Sequence, residues 1–225
     1  MNSERRAIVV LLALFLAYAV FVGIGREAIL LFSAVVPSII LHELSHGVVA
    51  NAFGDDTAKQ AGRLTLNPIA HIDLFGTLLL PAMLSLSGLG AFGYAKPVPV
   101  NPARMRHPRN QWLLTSLAGP ATNLVLAGGA AFALRAATGR EGWFEFVFAL
   151  GLVNIVLAIF NLLPIPPLDG SAMIERLLPR SWWPGYLKFR RYSMGLLLLL
   201  VLGFPGALSA VWNPFITAWE RFAVG

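Results

Sequence analysis

Long apolar stretches separated by short polar segments predict a chain built from membrane-spanning helices. A helix needs about 20 apolar residues to cross the hydrocarbon core of a bilayer. Six stretches come close to that length or exceed it, and proline, glycine or charged residues separate them. The predicted spans cover residues 7–24, 28–53, 112–136, 143–163, 187–203 and 207–222.

A less regular insertion, residues 54–110, lies between the second and third predicted spans. Residues 74–92 are apolar, but Pro81 and several glycines and serines interrupt them, which favours a re-entrant or tilted segment over a full crossing. Residues 63–66 alternate between polar and apolar, and residues 93–102 contain the sequence KPVPV; both predict short strands. Proline in a strand belongs at an edge, so the segment around Val98 is predicted to be an edge strand that could pair with an unfolded substrate.

Composition supports an integral membrane protein. Of the 225 residues, 57% are hydrophobic and 12% are charged, and the mean hydropathy is +0.70. The predicted fold is therefore an all-α polytopic membrane protein of about six transmembrane helices, with a re-entrant and partly β insertion, forming one domain over residues 1–225. The absence of cysteine excludes disulfides and thiolate metal ligands, so any metal must be held by His, Asp or Glu.

The net charge of +6 is explained by topology. With both termini and the loops after spans two and four in the cytoplasm, only Arg26, Arg135 and Arg140 of the 17 cationic residues lie outside. This distribution predicts cytoplasmic termini, and it argues against a single crossing by residues 74–92. No basic face with base-reading groups is evident, so nucleic acid is not an expected partner.

Within the second span, the sequence HELSH places His42 and His46 four residues apart, on one face of a helix, where both can reach one metal ion. Glu43 lies about 100° round the helix from His42, on the flank of the pair. Two imidazole ligands with a glutamate as general base form the HExxH arrangement of zinc peptidases. The alternative is a polar group that only hydrogen-bonds neighbouring helices, although each ionisable residue at this depth costs about 2.5–3.5 kcal/mol to insert.

A tetrahedral zinc site that keeps one position for water needs a third protein ligand. Asp169 is the strongest candidate because it follows a proline-rich end of a span and precedes Gly170, where backbone can approach a neighbouring helix closely. Its alternative role is to cap a helix over residues 171–178. The candidate third ligands are His71, Asp73, Glu145, Asp169 and Glu175.

HELSH in a membrane helix, followed about 120 residues later by FNLLPIPPLDG, resembles the site-2 protease family of intramembrane zinc metalloproteases. The resemblance covers nearly the whole chain, and it extends to the family's GPxxN segment at Gly119, Pro120 and Asn123. The stretches NPIAHID and KPVPVNP further resemble a small bacterial and archaeal branch of that family. From the 225 residues of this sequence we expect neither the PDZ domain nor the regulatory domain of larger members.

The resemblance implies one zinc ion per chain, held by His42, His46 and Asp169, with Glu43 as the catalytic residue. It implies hydrolysis of peptide bonds in or near transmembrane segments of membrane proteins, inside a lipid bilayer. Asn161, which opens the second motif, is a candidate for binding the substrate backbone or the oxyanion, or else for capping carbonyls near the prolines.

Two further residues have open roles. Asn123 is predicted to make a helix–helix hydrogen bond rather than to be a catalytic group, and it is also a candidate for a supporting or gating residue near the metal. His71 is a candidate for a supporting or gating residue near the metal, and its alternative is an ordinary interfacial histidine.

Two rival functions are compatible with the same motifs. A membrane metal transporter would use the ligands as a transit site, although it would need further ligands along a path. A catalytically inactive homologue would bind membrane proteins without cleaving them. The sequence does not indicate the oligomeric state.

Overall fold

The computed structural model describes residues 25–86, 93–137 and 142–225. The first predicted span, residues 7–24, lies outside the described residues, as does the end of the 74–92 segment. The α-helices are α1 (Arg26–Ala52), α2 (Thr57–Gln60), α3 (Leu80–Leu86), α4 (Pro108–Ala136), α5 (Phe144–Leu162), α6 (Ser171–Leu177), α7 (Trp183–Gly203) and α8 (Pro205–Val224).

Three helices are long and apolar enough to cross a membrane: Ile29–Ala52 within α1, α4 and α5. They match the second, third and fourth predicted spans to within a few residues at most ends. Their outer surfaces stay apolar, with Val125 of α4 74% exposed, as expected for side chains that face lipid. The secondary structure of the described residues is thus helical, as predicted, and these three helices are suited to a membrane.

The last two predicted spans are not confirmed as separate crossings. The helices around residues 180–203 and 206–224 meet the length and hydropathy criteria only as a pair, bent by 80° at the break between them. Gly203 and Pro205 flank that break, and a proline cannot continue the hydrogen bonding of the preceding helix. The described residues therefore supply three candidate crossings, or four if this bent pair is one span, and the prediction of six is not confirmed.

The insertion contains short helices and irregular backbone, and the described residues contain no strand. Single 3₁₀ turns occupy Pro68–His71 and Pro102–Arg104, and a π-helical stretch, Leu74–Leu79, leads into α3. The strands predicted at 63–66 and 93–102 are absent. Pro97 and Pro99 have no N–H to give to a ladder, and the amide of Val98 between them donates to a side chain, the carboxylate of Glu43.

The core that holds the long helices together forms where α4, α5 and α8 meet. Ala127 and Ala131 of α4 pack with Ile155 of α5 and Trp219 of α8. The indole N–H of Trp219 also donates to the carbonyl oxygen of Ala127, at 2.8 Å. Helix α1 packs on both α4 and α5, so the HELSH segment faces these two helices.

Candidate metal centre and active site

The two histidines of α1 lie one turn apart and point in the same direction. Their Nε2 atoms are 3.1 Å apart, and the ring centroids are separated by 4.7 Å. Both residues are buried, with His42 7% exposed and His46 8% exposed. The helical spacing thus brings two imidazole nitrogens to one point, as the sequence predicted.

Asp169 lies at the same point, on the segment that follows α5. Helix α5 ends at Leu162, and the proline-rich turn that follows returns the chain toward α1. The Asp169 Oδ2 atom lies 3.0 Å from His42 Nε2 and 3.4 Å from His46 Nε2. One ligand atom from each of the three residues therefore lies within 4.8 Å of the others.

The three atoms that meet here are suited to binding a cation. The Nδ1 atom of His46 lies 2.7 Å from the carbonyl oxygen of Thr115, and Nδ1 of His42 lies 2.5 Å from Oδ1 of Asn123. Since each Nδ1 meets an acceptor, each carries the ring proton, and each Nε2 presents a lone pair. Two lone pairs then face the buried Asp169 Oδ2, which has no hydrogen-bond donor in the described part of the chain. Three converging acceptors repel one another unless a metal ion or a proton lies between them, and this set of two imidazole nitrogens and one carboxylate oxygen fits a metal ion.

Close contact between α1 and α4 at this point depends on Gly119. A Cβ atom at this position would lie 2.5 Å from both His42 Cε1 and His46 Nε2. Real side chains do not approach so closely, so any larger residue would displace the imidazoles. Pro120, buried on the same helix, follows directly.

His42, His46 and Asp169 together form what we call the cluster. Glu43 lines the same cavity as the cluster, and its carboxylate already has a hydrogen-bond partner. Oε2 accepts a hydrogen bond of 2.8 Å from the amide of Val98 in the insertion. Arg63 adds a buried positive charge nearby, and its guanidinium donates to the carbonyl oxygen of Lys96, at 2.7 Å. Burial lowers the pKa of Arg63, and the negative charge of Glu43 partly offsets that effect.

Comparison with known proteins identifies the family. Residues 131–203 match the model of peptidase family M50, and this match includes Asp169. "Putative zinc metalloprotease YwhC" of Bacillus subtilis is 42% identical over 192 residues, which cover 80% of this chain and 83% of that protein. The chain belongs to peptidase family M50.

More distant relatives of this M50 chain carry similar names. "Putative zinc metalloprotease Rip2" of Mycolicibacterium smegmatis is 36% identical over 65% of this chain and 56% of its own length. "Zinc metalloprotease MJ0392" of Methanocaldococcus jannaschii is 23% identical over 87% of this chain and 49% of its own length. This chain thus spans about half the length of these two relatives. No solved structure shows a significant match.

A cavity with a volume of about 440 Å³ opens onto the cluster in this M50 chain. His42, Glu43, His46 and Asp169 all line it. The insertion supplies part of its wall, including Tyr94, Pro97, Val98 and Val100, and α7 supplies Met194 and Leu197. The insertion is therefore next to the site, as its position in the sequence suggested.

The other predicted site residues lie at different distances from the cluster. Val98 and Asn161 line the cavity; the Asn161 amide also donates to the carbonyl oxygen of Leu157, at 2.9 Å. Asn123 contacts His42 directly from behind. His71 is buried elsewhere in the insertion, where its Nε2 lies 2.8 Å from the carbonyl oxygen of Thr65.

The remaining candidate third ligands all have other partners. Glu145 pairs with Arg26 at 2.7 Å, on the exposed surface. The Asp73 carboxylate accepts from the amides of Phe75 and Gly76, at the start of the π-helical stretch. Glu175 is buried and accepts hydrogen bonds from three side chains. These donors are Trp112, Tyr186 and Arg190.

Four groups next to the site were not identified from the sequence. The Thr115 carbonyl oxygen is a backbone atom, so no residue type marks it. Arg63 was counted only as a cytoplasmic charge. Ser38 and Asn154 are polar residues in otherwise apolar helices, and that contrast was a signal that could have found them.

Proposed function

We infer that this chain is a zinc-dependent intramembrane endopeptidase, which hydrolyses peptide bonds in or next to transmembrane segments of other membrane proteins. The observation that carries this proposal is the meeting of His42, His46 and Asp169 within the bundle, with Glu43 beside them and a cavity in front. Imidazole nitrogen and carboxylate oxygen are ordinary zinc ligands, and two histidines with one carboxylate form a known catalytic set. The names of the relatives add the metal and the reaction class to this chemistry.

We assign His42, His46 and Asp169 as the ligands of one zinc ion. Bound zinc supplies a Lewis acid that acidifies a water molecule and polarises a carbonyl group. Glu43 is the general base that takes the proton of the attacking water and then delivers it to the leaving amine. The Val98 amide holds the Glu43 carboxylate in place.

The cavity wall suggests how substrate is held. A transmembrane helix has all its amides bonded internally, so a substrate must be unwound locally before its backbone can bind. The segment around Val98 and the side chain of Asn161 both line the cavity, and we propose them as the substrate-binding groups. Asn161 can donate to the substrate backbone or to the developing oxyanion.

The finer topology is also a proposal. We propose six spans, cytoplasmic termini and one domain over residues 1–225. In this topology, 14 of the 17 cationic residues lie on the cytoplasmic side of the membrane. The insertion places Tyr94 and Pro97 in the cavity wall, so we propose that water reaches the site along it. We further propose that His71 stabilises the fold of the insertion. Its imidazole Nε2 hydrogen-bonds the Thr65 carbonyl oxygen, and the backbone carbonyl oxygen of His71 accepts from the Lys96 amide.

The test is cleavage of single-span membrane proteins by the purified chain in proteoliposomes, with and without a zinc chelator. We expect at least one substrate to be cut within or beside its span, and we expect the chelator to stop cleavage and added zinc to restore it. Cleavage that persists in the chelator contradicts the metal-dependent mechanism. Zinc uptake into the same proteoliposomes, with no cleavage of any substrate in the panel, would indicate a transporter instead.

A further inference from the structure

Three fully buried polar side chains continue inward from His42, one on each of three helices. Asn123 of α4, Asn154 of α5 and Ser38 of α1 are all 0% exposed. Asn123 Nδ2 donates to Asn154 Oδ1 at 2.6 Å, and Asn154 Nδ2 donates to Ser38 Oγ at 2.8 Å. Together with the Asn123–His42 contact, these bonds form one continuous row from the imidazole to Ser38, which lies one helical turn before His42 on α1.

The direction of this row is fixed at its far end by two backbone carbonyls. Asn154 Nδ2 also donates to the carbonyl oxygen of Leu150, at 2.8 Å, and the Ser38 hydroxyl donates to the carbonyl oxygen of Ala34, at 2.7 Å. A carbonyl oxygen can only accept. The side-chain amide of Asn154 must therefore turn its NH₂ group toward Leu150. The Ser38 hydroxyl, which already donates to Ala34, must accept a hydrogen bond from the same NH₂ group.

This constraint passes from one amide to the next. Because the NH₂ group of Asn154 faces Leu150, its Oδ1 faces Asn123. Asn123 can then meet that acceptor only with its own NH₂ group, which leaves its Oδ1 toward His42. The ring proton of His42 is consequently held on Nδ1, and the Nε2 lone pair points at the cluster with His46 and Asp169.

We propose that Asn154 is a positioning residue for the metal site: anchored by the Leu150 carbonyl and by Ser38, it orients the Asn123 amide and thereby selects the metal-binding tautomer of His42. The inference rests on the proposed metal site and adds to it a residue that does not touch the metal. Partners behind a ligating histidine commonly fix its tautomer and orientation.

The two histidines differ in how this selection is made. His46 meets the Thr115 carbonyl directly, and a carbonyl needs no further group to define it as an acceptor. His42 meets an amide, whose two ends are nearly the same shape but opposite in polarity. Only the His42 tautomer therefore depends on side chains farther away, and a substitution at Asn154 should disturb His42 and leave His46 unchanged.

The test is Asn154→Leu, a change that keeps much of the volume and removes the polarity. Long-range ¹H–¹⁵N spectra of the metal-free, ¹⁵N-histidine-labelled protein distinguish the two tautomers of each ring. We expect His42 to hold its proton on Nδ1 in the wild type and to populate both tautomers in the variant. We expect zinc affinity, measured by competition with a chromophoric chelator, to fall about 10- to 100-fold.

Controls separate this effect from a general loss of packing. Ser193 is also buried and its hydroxyl donates to the carbonyl oxygen of Arg190, but it lies outside the row, so Ser193→Ala should leave both tautomer and affinity unchanged. If Asn154→Leu does not fold, Asn154→Ala takes its place with the same expectation. A wild-type His42 tautomer and zinc affinity in the Asn154 variant would overturn the proposal.

One further variant tells the two proposals apart. His42→Ala should abolish tight zinc binding if the metal site is correctly assigned. Should His42→Ala bind zinc as the wild type does, the metal site itself is wrong. When His42→Ala loses zinc but the Asn154 variant keeps both the metal and the tautomer, only the role of Asn154 is refuted.

Discussion

The carboxylate of Glu43 accepts a hydrogen bond of 2.8 Å from the backbone amide of Val98. These two residues come from parts of the chain 55 positions apart, one in the HELSH helix and the other in the insertion. The proposed base and the proposed substrate-binding segment are thus joined before any substrate is present. Because of this hydrogen bond, the insertion contacts the proposed base directly, in addition to lining the cavity.

Glu43→Gln separates catalysis from metal binding. Glutamine keeps the size of the side chain and an oxygen that can accept from Val98, but it cannot take a proton. We expect zinc to remain at one equivalent and cleavage to fall by about 10²- to 10⁴-fold, the usual contribution of a general base. Zinc content and cleavage of a single-span substrate are measured on the same preparation. Retained cleavage would refute the base assignment.

Val98→Pro tests the hydrogen bond between these residues. Proline removes the N–H, and its backbone angles suit this position because Pro99 already disfavours a helical conformation at residue 98. A hydrogen bond to a charged group contributes about 1.5–3 kcal/mol, so we expect cleavage to slow by roughly tenfold or more at unchanged zinc affinity. Val98→Ala keeps the N–H and is the matched control. Equal rates in the two variants would show that the bond has no part in catalysis.

The candidate ligands could be named from the sequence because these residue types are rare in apolar helices and follow a fixed spacing. His42, His46 and Asp169 were all named before the structure, and the structure brings them together. The supporting groups were harder to predict. The Thr115 contact uses a backbone oxygen, and the contact from Asn154 to Ser38 joins residues 116 positions apart whose meeting depends on how α1 and α5 pack.

The strands around residues 63–66 and 93–102 show the limit of pattern reasoning. Alternation and proline suggested an extended edge, but a strand also needs a partner with free backbone groups. In the structure, the Val98 amide bonds to a side chain and the Lys96 amide bonds to the carbonyl oxygen of His71. Local sequence could not reveal that these partners come from α1 and from a 3₁₀ turn.

Asp169→Ala tests the third ligand. Removing the carboxylate leaves two imidazoles, so we expect the purified protein to lose its zinc and all cleavage, with zinc content read by mass spectrometry. Glu145→Ala is the matched control, because Glu145 was also a candidate ligand but pairs with Arg26 on the surface. A variant at position 169 that holds one zinc equivalent would rule this ligand out.

Gly119→Ala tests the close approach of α4 to the histidines. The added Cβ would lie 2.5 Å from atoms of both imidazoles, so the rings or the helix must move, at a cost of about 1–3 kcal/mol. We expect weakened zinc binding and a lower melting temperature. Gly128→Ala, on the same helix, meets no atom within 4 Å and should leave zinc binding unchanged. Equal behaviour of the two variants would contradict the packing described for this site.

Asp55 connects the end of α1 to the insertion by hydrogen bonds to Ala50 and Asn101. Its carboxylate should make the stability of the fold depend on pH. The side chain is fully buried, with Oδ1 accepting from the Thr57 amide at 3.1 Å and Oδ2 from the Asn101 amide at 2.5 Å. Burial of the carboxylate opposes its ionisation, but the hydrogen bonds from Thr57 and Asn101 outweigh burial, and the pKa of Asp55 lies below its ordinary value.

Because the folded pKa is the lower one, Asp55 stabilises the fold fully above the unfolded value of about 3.9 and loses that contribution as the pH falls through the folded pKa. Asp55→Asn presents an NH₂ group to one of the two amide donors, which should lower stability by about 1–3 kcal/mol at neutral pH. We expect the difference in melting temperature between wild type and variant to shrink as the pH is lowered below about 4. A difference that stays constant over this range would show that ionised Asp55 does not contribute through these hydrogen bonds.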